Sequence, residues 1–305
     1  MANDRAAPRV VERVGLSVAQ RSFALPGAGG HRVGPKGGGV GSRTARRRLA
    51  LAGYGCGRCG YFGGMTIPAF VAEDLERLEI DLPDGALDRL ERYLDLLLKA
   101  NETTNLTAIR HREQAWSRLI VDSLTPLPGV PDAAEGETLR LIDVGTGAGL
   151  PGMPLAIARP DVAVTLVDGT GKKVRFLESV VEQLGLENVT PLHARIEDVG
   201  QDPAHRGRYD VVTNRAVGPL RVVLEYSLPL LKVGGVTLAM KGPKAETELR
   251  ESGDALTTLG AGEVSVVDAY PEGFDNELVI VIVPKADATP KDYPRLSGTP
   301  KKEPL

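Results

Sequence analysis

The residues whose types and spacing can do chemistry gather in "LIDVGTGAGLPGMPLAI", residues 141–157, where an apolar run ends at Asp143 and glycines follow at 145, 147 and 149. A backbone this bare lets main-chain N–H groups approach a ligand that a Cβ would hold off. Gly147, Gly149 and Gly152 satisfy the dinucleotide pattern GxGxxG, which alone is a weak signal. The better-placed set is Asp143-x-Gly145-x-Gly147-x-Gly149, with Gly145 where the apolar strand ends. A carboxylate there would repel a pyrophosphate, but it suits a cofactor bearing an ammonium, S-adenosyl-L-methionine. Asp143 is expected to organise the loop and to accept a bond, directly or through water, from that ammonium.

Two further acidic positions fit an adenosyl group. The second strand ends at Asp168, where a carboxylate can accept both ribose hydroxyls, although a nicotinamide dinucleotide would use the same feature and a helix cap would look alike. In "ARIEDV", Ile196 is placed to pack on adenine, with Glu197 near its amino group; a solvated surface acid is the plainer alternative for Glu197. The substrate loop after the fourth strand reads "TNRAVGPL", with Asn214 and Arg215 as substrate-positioning candidates. It lacks the Asn/Asp-Pro-Pro-aromatic signature that holds exocyclic amines. No cysteine follows Cys59, so the folded part has no thiolate nucleophile for pyrimidine carbon-5 transfer. Guanine N7 needs neither device, because its in-plane lone pair carries no proton. The protein must desolvate the base and align it with the departing sulfur.

The elements that position these residues follow from periodicity. Strands are predicted at "LRLIDV", "AVTLVD", "VTPLHA", "YDVVTN" and "GVTLAM", with helices between them, notably "KKVRFLESVVEQLGL" and "LRVVLEYSLPLLK". Such alternation implies a parallel sheet covered on both faces. Pro151 and Pro154 fit a helix that opens directly after the glycine loop. A helix near 245–259 precedes two neighbouring strands, "EVSVVDAY" and "NELVIVIVP". Seven strands with a late hairpin resemble the class I methyltransferase sheet, and that resemblance implies an α/β, Rossmann-like fold of strand order 3-2-1-4-5-7-6, spanning about residues 138–286. Residues 65–130 form a small helical region: Leu87, Leu90, Leu94, Leu97 and Leu98 make one apolar stripe, and "NLTAIRHREQAWSRLIVDSL" turns Trp116, Leu119, Ile120 and Leu124 inward. "TPLPGVPD" reads as a linker.

Composition sets the outer bounds. The 305 residues are 42% hydrophobic and 25% charged, ordinary for a globular chain, and no apolar run reaches membrane-span length. The net charge of −3 conceals an asymmetry: residues 1–64 hold eleven Arg or Lys against Asp4 and Glu12 alone, which leaves the rest near −12. An acidic body must meet nucleic acid through local patches. The Gly- and Arg-rich segment 1–64 shows no sustained period and is expected to be disordered or a non-native extension, with translation starting near Met65. A basic RNA-binding arm and a targeting peptide are its other readings. Cys56 and Cys59 form a lone CxxC without a second ligand pair, so no metal is expected.

"NETTNLTAIR", "DSL", "DVGTGAGLPGMPLAI", "GKKVRFLE", "NRAV" and the ending "YPRLSGTPKKEPL" appear in this order. Together they resemble the bacterial 16S rRNA guanine-N7 methyltransferase G family, also called glucose-inhibited division protein B, across residues 66–305. The resemblance implies methyl transfer from S-adenosyl-L-methionine to N7 of one guanine in the decoding-region loop of 16S rRNA. It implies as partner the 30S subunit or an assembly intermediate; separately, a monomer is expected, and a folded part that cannot form a disulfide of its own fits a reducing cytoplasm. It places cofactor contacts at Gly145, Leu150, Ile196, Glu197 and Arg215. Chemistry adds Asp143, Gly147, Gly149 and Asp168. Asn214 departs from the serine of many members, which leaves a specific serine role open. Arg215 has three ligands in view, the cofactor carboxylate, an RNA phosphate and guanine O6, beside a purely structural role.

RNA contacts are sought among basic residues. Arg110, His111, Arg112 and Arg118 border the cofactor domain, and Lys172, Lys173 and Arg175 open a helix near the same edge. Lys241, Lys244, Lys291, Arg295, Lys301 and Lys302 extend the rim, the last four within a basic tail, residues 287–305. Competing functions are a methyltransferase for a small metabolite, a non-catalytic S-adenosyl-L-methionine sensor and a nicotinamide-dependent oxidoreductase.

Overall fold

The computed structural model describes residues 20–22 and 67–305. The expectations for residues 1–64, Cys56 and Cys59 included, lie outside the described residues except at β1 (Gln20–Ser22), a three-residue edge strand.

The helical region begins with α1 (Ala69–Arg77) and α2 (Ala86–Thr104). Along α2 the buried stripe is Ala86, Leu90, Tyr93, Leu94, Leu97 and Asn101; Leu87 and Leu98 form its half-buried margins. The helix ends where Asn105 adopts a left-handed conformation, φ 51°. Asn101 closes that end. Its Oδ1 accepts from the Leu106 and Thr107 amides at 2.7 and 3.0 Å, and its Nδ2 donates to the Thr107 carbonyl at 2.9 Å. Helix expected from residue 105 starts only at α3 (Arg112–Ala115), because Asn101 holds the preceding residues in a turn. It continues through a π-helical stretch, Trp116–Val121, into α4 (Asp122–Leu124), and Trp116, Leu119, Ile120 and Leu124 are buried as their spacing predicts. The proline-rich linker contains one 3-10 turn, Leu127–Gly129.

Then follow β2 (Arg140–Val144), α5 (Gly152–Ala158), β3 (Ala163–Asp168), α6 (Gly171–Leu184), β4 (Val189–His193), α7 (Ile196–Gln201) and β5 (Tyr209–Arg215). After these come α8 (Leu220–Ser227), β6 (Leu231–Lys241), α9 (Ala245–Arg250), α10 (Gly253–Leu259), β7 (Ser265–Asp268), β8 (Val279–Pro284) and α11 (Thr299–Lys302). The single helix expected near 245–259 is thus two. They break at Ser252, whose hydroxyl donates to the Glu248 carbonyl at 2.6 Å.

The sheet runs β4-β3-β2-β5-β6-β8-β7, with β1 beyond β7. Counted from β2 as the first strand, this is the order 3-2-1-4-5-7-6. Strands β4, β3, β2, β5 and β6 are parallel; β8 runs antiparallel to β6 and to β7. Burial on both faces explains why the central strands read as unbroken apolar runs. Register matters for function: Asp143 lies beside Leu166 and Thr213, and Asp168 beside His193. The loops after β2, β3, β4 and β5 therefore open on one edge. The order reverses between β2 and β5, the switch point where such sheets bind ligands.

Candidate active site

Asp143 governs the glycine loop from beneath. Fully buried, it accepts at Oδ2 from the Thr146 hydroxyl at 2.6 Å and from the Gly152 amide at 2.9 Å. Burial pushes its carboxyl up to about 7, against the pull of those two donors and of the Thr213 hydroxyl. Gly145 has φ +68°, and a Cβ there would stand 2.9 Å from a Val217 methyl. Gly152 is equally constrained, since a Cβ would come within 2.4 Å of Leu166. These positions bring the loop down onto β3 and onto the loop after β5.

Other elements hold the loop from the side. The Thr146 amide donates to the Val167 carbonyl at 3.0 Å, and the Gly147 amide to Asp168 Oδ2 at 3.0 Å. Tyr93, buried on α2, donates its hydroxyl to the Ala148 carbonyl at 2.8 Å. Sequence reasoning missed Tyr93, which there passes for one more member of the apolar stripe.

A cavity of about 270 Å³ opens at the carboxyl edge beside this loop, walled by Gly145, Asp168, Lys173, Arg195, Ile196, Glu197, Val217, Tyr226 and Lys301 among others. Four of the candidate residues, Gly145, Asp168, Ile196 and Glu197, therefore line one cavity. Asp168 also accepts at Oδ1 from the Thr170 amide at 2.8 Å, and Lys173 Nζ lies 3.5 Å from its Oδ2. Glu197 is 1% exposed, so it is no solvated surface acid. Its Oε1 accepts from the Gly298 amide at 2.8 Å and from the Tyr226 hydroxyl at 3.3 Å, whereas its buried Oε2 has no partner among the described residues. Burial drives the Glu197 carboxyl up, but the Gly298 amide and Arg195 outweigh it and hold the group below its usual value.

The remaining candidates sit outside the wall. Gly147, Gly149 and Leu150 shape the loop; Asp143 supports it but is not part of the cavity wall. Asn214 is buried in β5, with its Nδ2 unpartnered among the described residues. The Arg215 guanidinium turns to the helical region, donating to the Arg118 carbonyl at 2.6 Å and meeting Asp122 Oδ2 at 3.4 Å. The chain after it lines the cavity through Ala216 and Val217, and Ala216 carries φ 55°, a strained value for a residue with a Cβ.

A second cavity, about 200 Å³, lies among Ile80, Pro126, Pro128, Leu238 and Ile280, and includes none of the glycine loop. Among the described residues no group of three or more His, Cys, Asp or Glu can hold a metal ion, and no helix is long and apolar enough to cross a membrane.

The model of the family described as rRNA small subunit methyltransferase G matches residues 86–277. The chain belongs to that family. Its relative of that name from Lactobacillus johnsonii is 41% identical over 238 residues, 78% of this chain and 99% of the relative. Those from Leuconostoc citreum and Desulfitobacterium hafniense are 44% and 45% identical, covering 79% and 75% of this chain and 100% and 94% of their own lengths.

For a methyltransferase of this family, most of the basic candidates fall into two sets, exposed or held by acids, and Lys173 stands apart, half-buried beside Asp168. Arg110, His111, Arg118, Lys172, Arg175, Lys244, Lys291, Lys301 and Lys302 are exposed. Arg112, Lys241 and Arg295 depart from the expected rim because acids within the fold already hold them. Arg112 pairs with Glu91 and Asp95 of α2. Lys241 is 9% exposed and donates to the Gly218 carbonyl at 2.6 Å and to Glu248 at 2.8 Å. Arg295 grips buried Glu225 at 2.6 Å. Lys173 and Lys301 reach the cavity wall itself.

Proposed function

We propose that this chain transfers a methyl group from S-adenosyl-L-methionine to N7 of a guanine in the small-subunit rRNA. The observation that carries the reading is the wall of the cavity at the β2/β5 switch point. On that wall Asp168 would accept from the ribose hydroxyls, Ile196 offers an apolar surface, and Glu197 keeps one buried carboxylate oxygen that is unpartnered among the described residues. Gly145 lacks the Cβ that would fill the cradle. This donor set fits an adenosyl group bearing a cationic amino-acid arm. When bound, S-adenosyl-L-methionine supplies an electrophilic methyl on a sulfonium. The chain's own residues bind and orient. Among the described residues the cavity wall contains no cysteine or histidine, and a nucleophile that arrives unprotonated needs neither. Exposed Arg118 and Lys172 are the proposed phosphate contacts of the RNA.

Incubation with tritium-labelled S-adenosyl-L-methionine tests the acceptor, with 30S subunits in one arm and a small-metabolite extract in the other. Label in the RNA of the first arm supports the reading. Label confined to the second replaces the acceptor with a metabolite, and tight cofactor uptake without transfer in either arm replaces the enzyme with a binding module.

A further inference from the structure

We propose that the C-terminal segment, residues 289–305, is a wall of the cofactor site and sets its selectivity for a 6-amino purine. The inference rests on the proposed S-adenosyl-L-methionine site and extends it to a part of the chain whose lysines otherwise suggest only RNA.

The segment is strapped to the domain by half-buried and exposed polar contacts, which lead to one buried acid. The Arg206 guanidinium donates to the carbonyls of Thr289, Pro290 and Tyr293 at 3.0, 2.9 and 2.5 Å, and Gln201 to that of Pro294 at 2.7 Å. Arg295 then binds Glu225, which is 0% exposed, through its amide at 2.8 Å and its guanidinium at 2.9 and 2.6 Å. A charge buried so deeply is stable only with such a partner. Three residues later the Gly298 amide reaches Glu197 Oε1 at 2.8 Å, and Lys301 arrives at the cavity wall.

The consequence falls on Glu197. Among the described residues its three side-chain and amide partners, Gly298, Tyr226 and Arg195, all address Oε1. That fixes the carboxylate about its last torsion and leaves Oε2 as the unpartnered atom. An ionised carboxylate has lone pairs and no proton to give. Placed against the C6 substituent of a purine, Oε2 gains a bond from an amino group and meets the lone pairs of a 6-oxo group. Selectivity of this kind is strong because the mismatched ligand leaves a buried polar group unpaired. Gly298 is thus a positioning residue for Glu197, and Arg295 holds Gly298 in reach.

The test measures dissociation constants by calorimetry for S-adenosyl-L-homocysteine and S-inosyl-L-homocysteine. Three proteins are compared: the wild type, a chain ending at Leu296 and Glu197→Gln. Ending at Leu296 keeps the Arg295–Glu225 clamp and deletes the Gly298 donor. Wild type is expected to prefer the adenosyl compound by at least about tenfold, and the shortened chain to lose most of that ratio. In Glu197→Gln the amide oxygen takes the Gly298 bond and turns its NH2 to the cavity, so the preference shifts toward the inosyl compound. An unchanged ratio in both variants overturns the proposal. So does an equal loss for both ligands, which marks the tail as merely structural, and so does weakened rRNA methylation at unaltered cofactor affinity, which marks it as an RNA contact. Wild type that binds neither compound overturns the cofactor site itself.

Discussion

Arg215, the last residue of β5, meets Asp122 of α4 at 3.4 Å, joining that strand to the helical N-terminal region. Asp122 is 3% exposed and also accepts at Oδ1 from the Tyr270 hydroxyl and from Asn276 Nδ2 at 3.1 Å. Burial drives its carboxyl up, while Tyr270 and Arg215 favour its charged form. One carboxylate therefore gathers three segments that sequence separates widely, and the cavity-lining Ala216 and Val217 follow directly from this joint.

Asp122→Ala strands Arg215, Tyr270 and Asn276 without their acceptor. The expected loss is about 3 kcal/mol of stability, seen as a lower urea midpoint, and Asp122→Asn, which retains one acceptor, should lose about half of that. Equal stability of Asp122→Ala and wild type would show the joint to be dispensable.

Asp143 gives the fold a signed pH dependence. Its folded-state value of about 7 lies above the ordinary 3.8. Between these values the folded chain holds a proton that the unfolded chain has released, so this group's contribution to stability falls as pH rises from about 4 through 7 and is flat above. Asp143→Asn keeps an acceptor for Thr146 and Gly152 but cannot titrate. Urea unfolding at pH 5 and pH 8 should show wild type losing up to about 3 kcal/mol more than the variant between the two. Identical pH profiles would contradict this assignment.

Tyr93→Phe removes the hydroxyl that holds the Ala148 carbonyl and leaves the ring volume in place. A cost of about 1–3 kcal/mol is expected, with cofactor affinity several-fold weaker because the glycine loop loses its outer support. Calorimetry at constant temperature decides it, and unaltered affinity would confine Tyr93 to packing.

Adjacent lysines should separate. Lys173 lies 3.5 Å from Asp168 on the cavity wall, whereas Lys172 is exposed. Lys172→Ala is expected to raise KM for 30S subunits without altering cofactor affinity, and Lys173→Ala to weaken cofactor binding as well. Filter binding of 30S subunits at two salt concentrations checks the first half, since a lost phosphate contact also lowers the salt slope. Matching behaviour of the two variants would undo the distinction.

Much of the fold was legible because its signals are local. β3 coincides with "AVTLVD", since an apolar run bounded by turns leaves few choices, and Asp168 marks its end without ambiguity. The glycine loop was legible for the same reason. Contacts closed by tertiary structure were not. Glu197 and Gly298 stand 101 positions apart, and nothing periodic links them. Arg112, Lys241 and Arg295 read as rim charges because a basic side chain carries no mark of the acid that will hold it. The helix expected from residue 105 fails until 112 because Asn101, one buried amide, binds the next turn instead. Tyr226 escaped notice because α8 buries most of its residues, and only its hydroxyl on Glu197 sets it apart.

The identity of the modified nucleoside decides whether guanine N7 is the acceptor. Purified chain is incubated with 30S subunits lacking the modification and methyl-labelled S-adenosyl-L-methionine, and the digested RNA is resolved by liquid chromatography and mass spectrometry. Label in 7-methylguanosine at a single site is the expected result. Label in any other nucleoside, or none above the protein-free control, would contradict N7 as the acceptor.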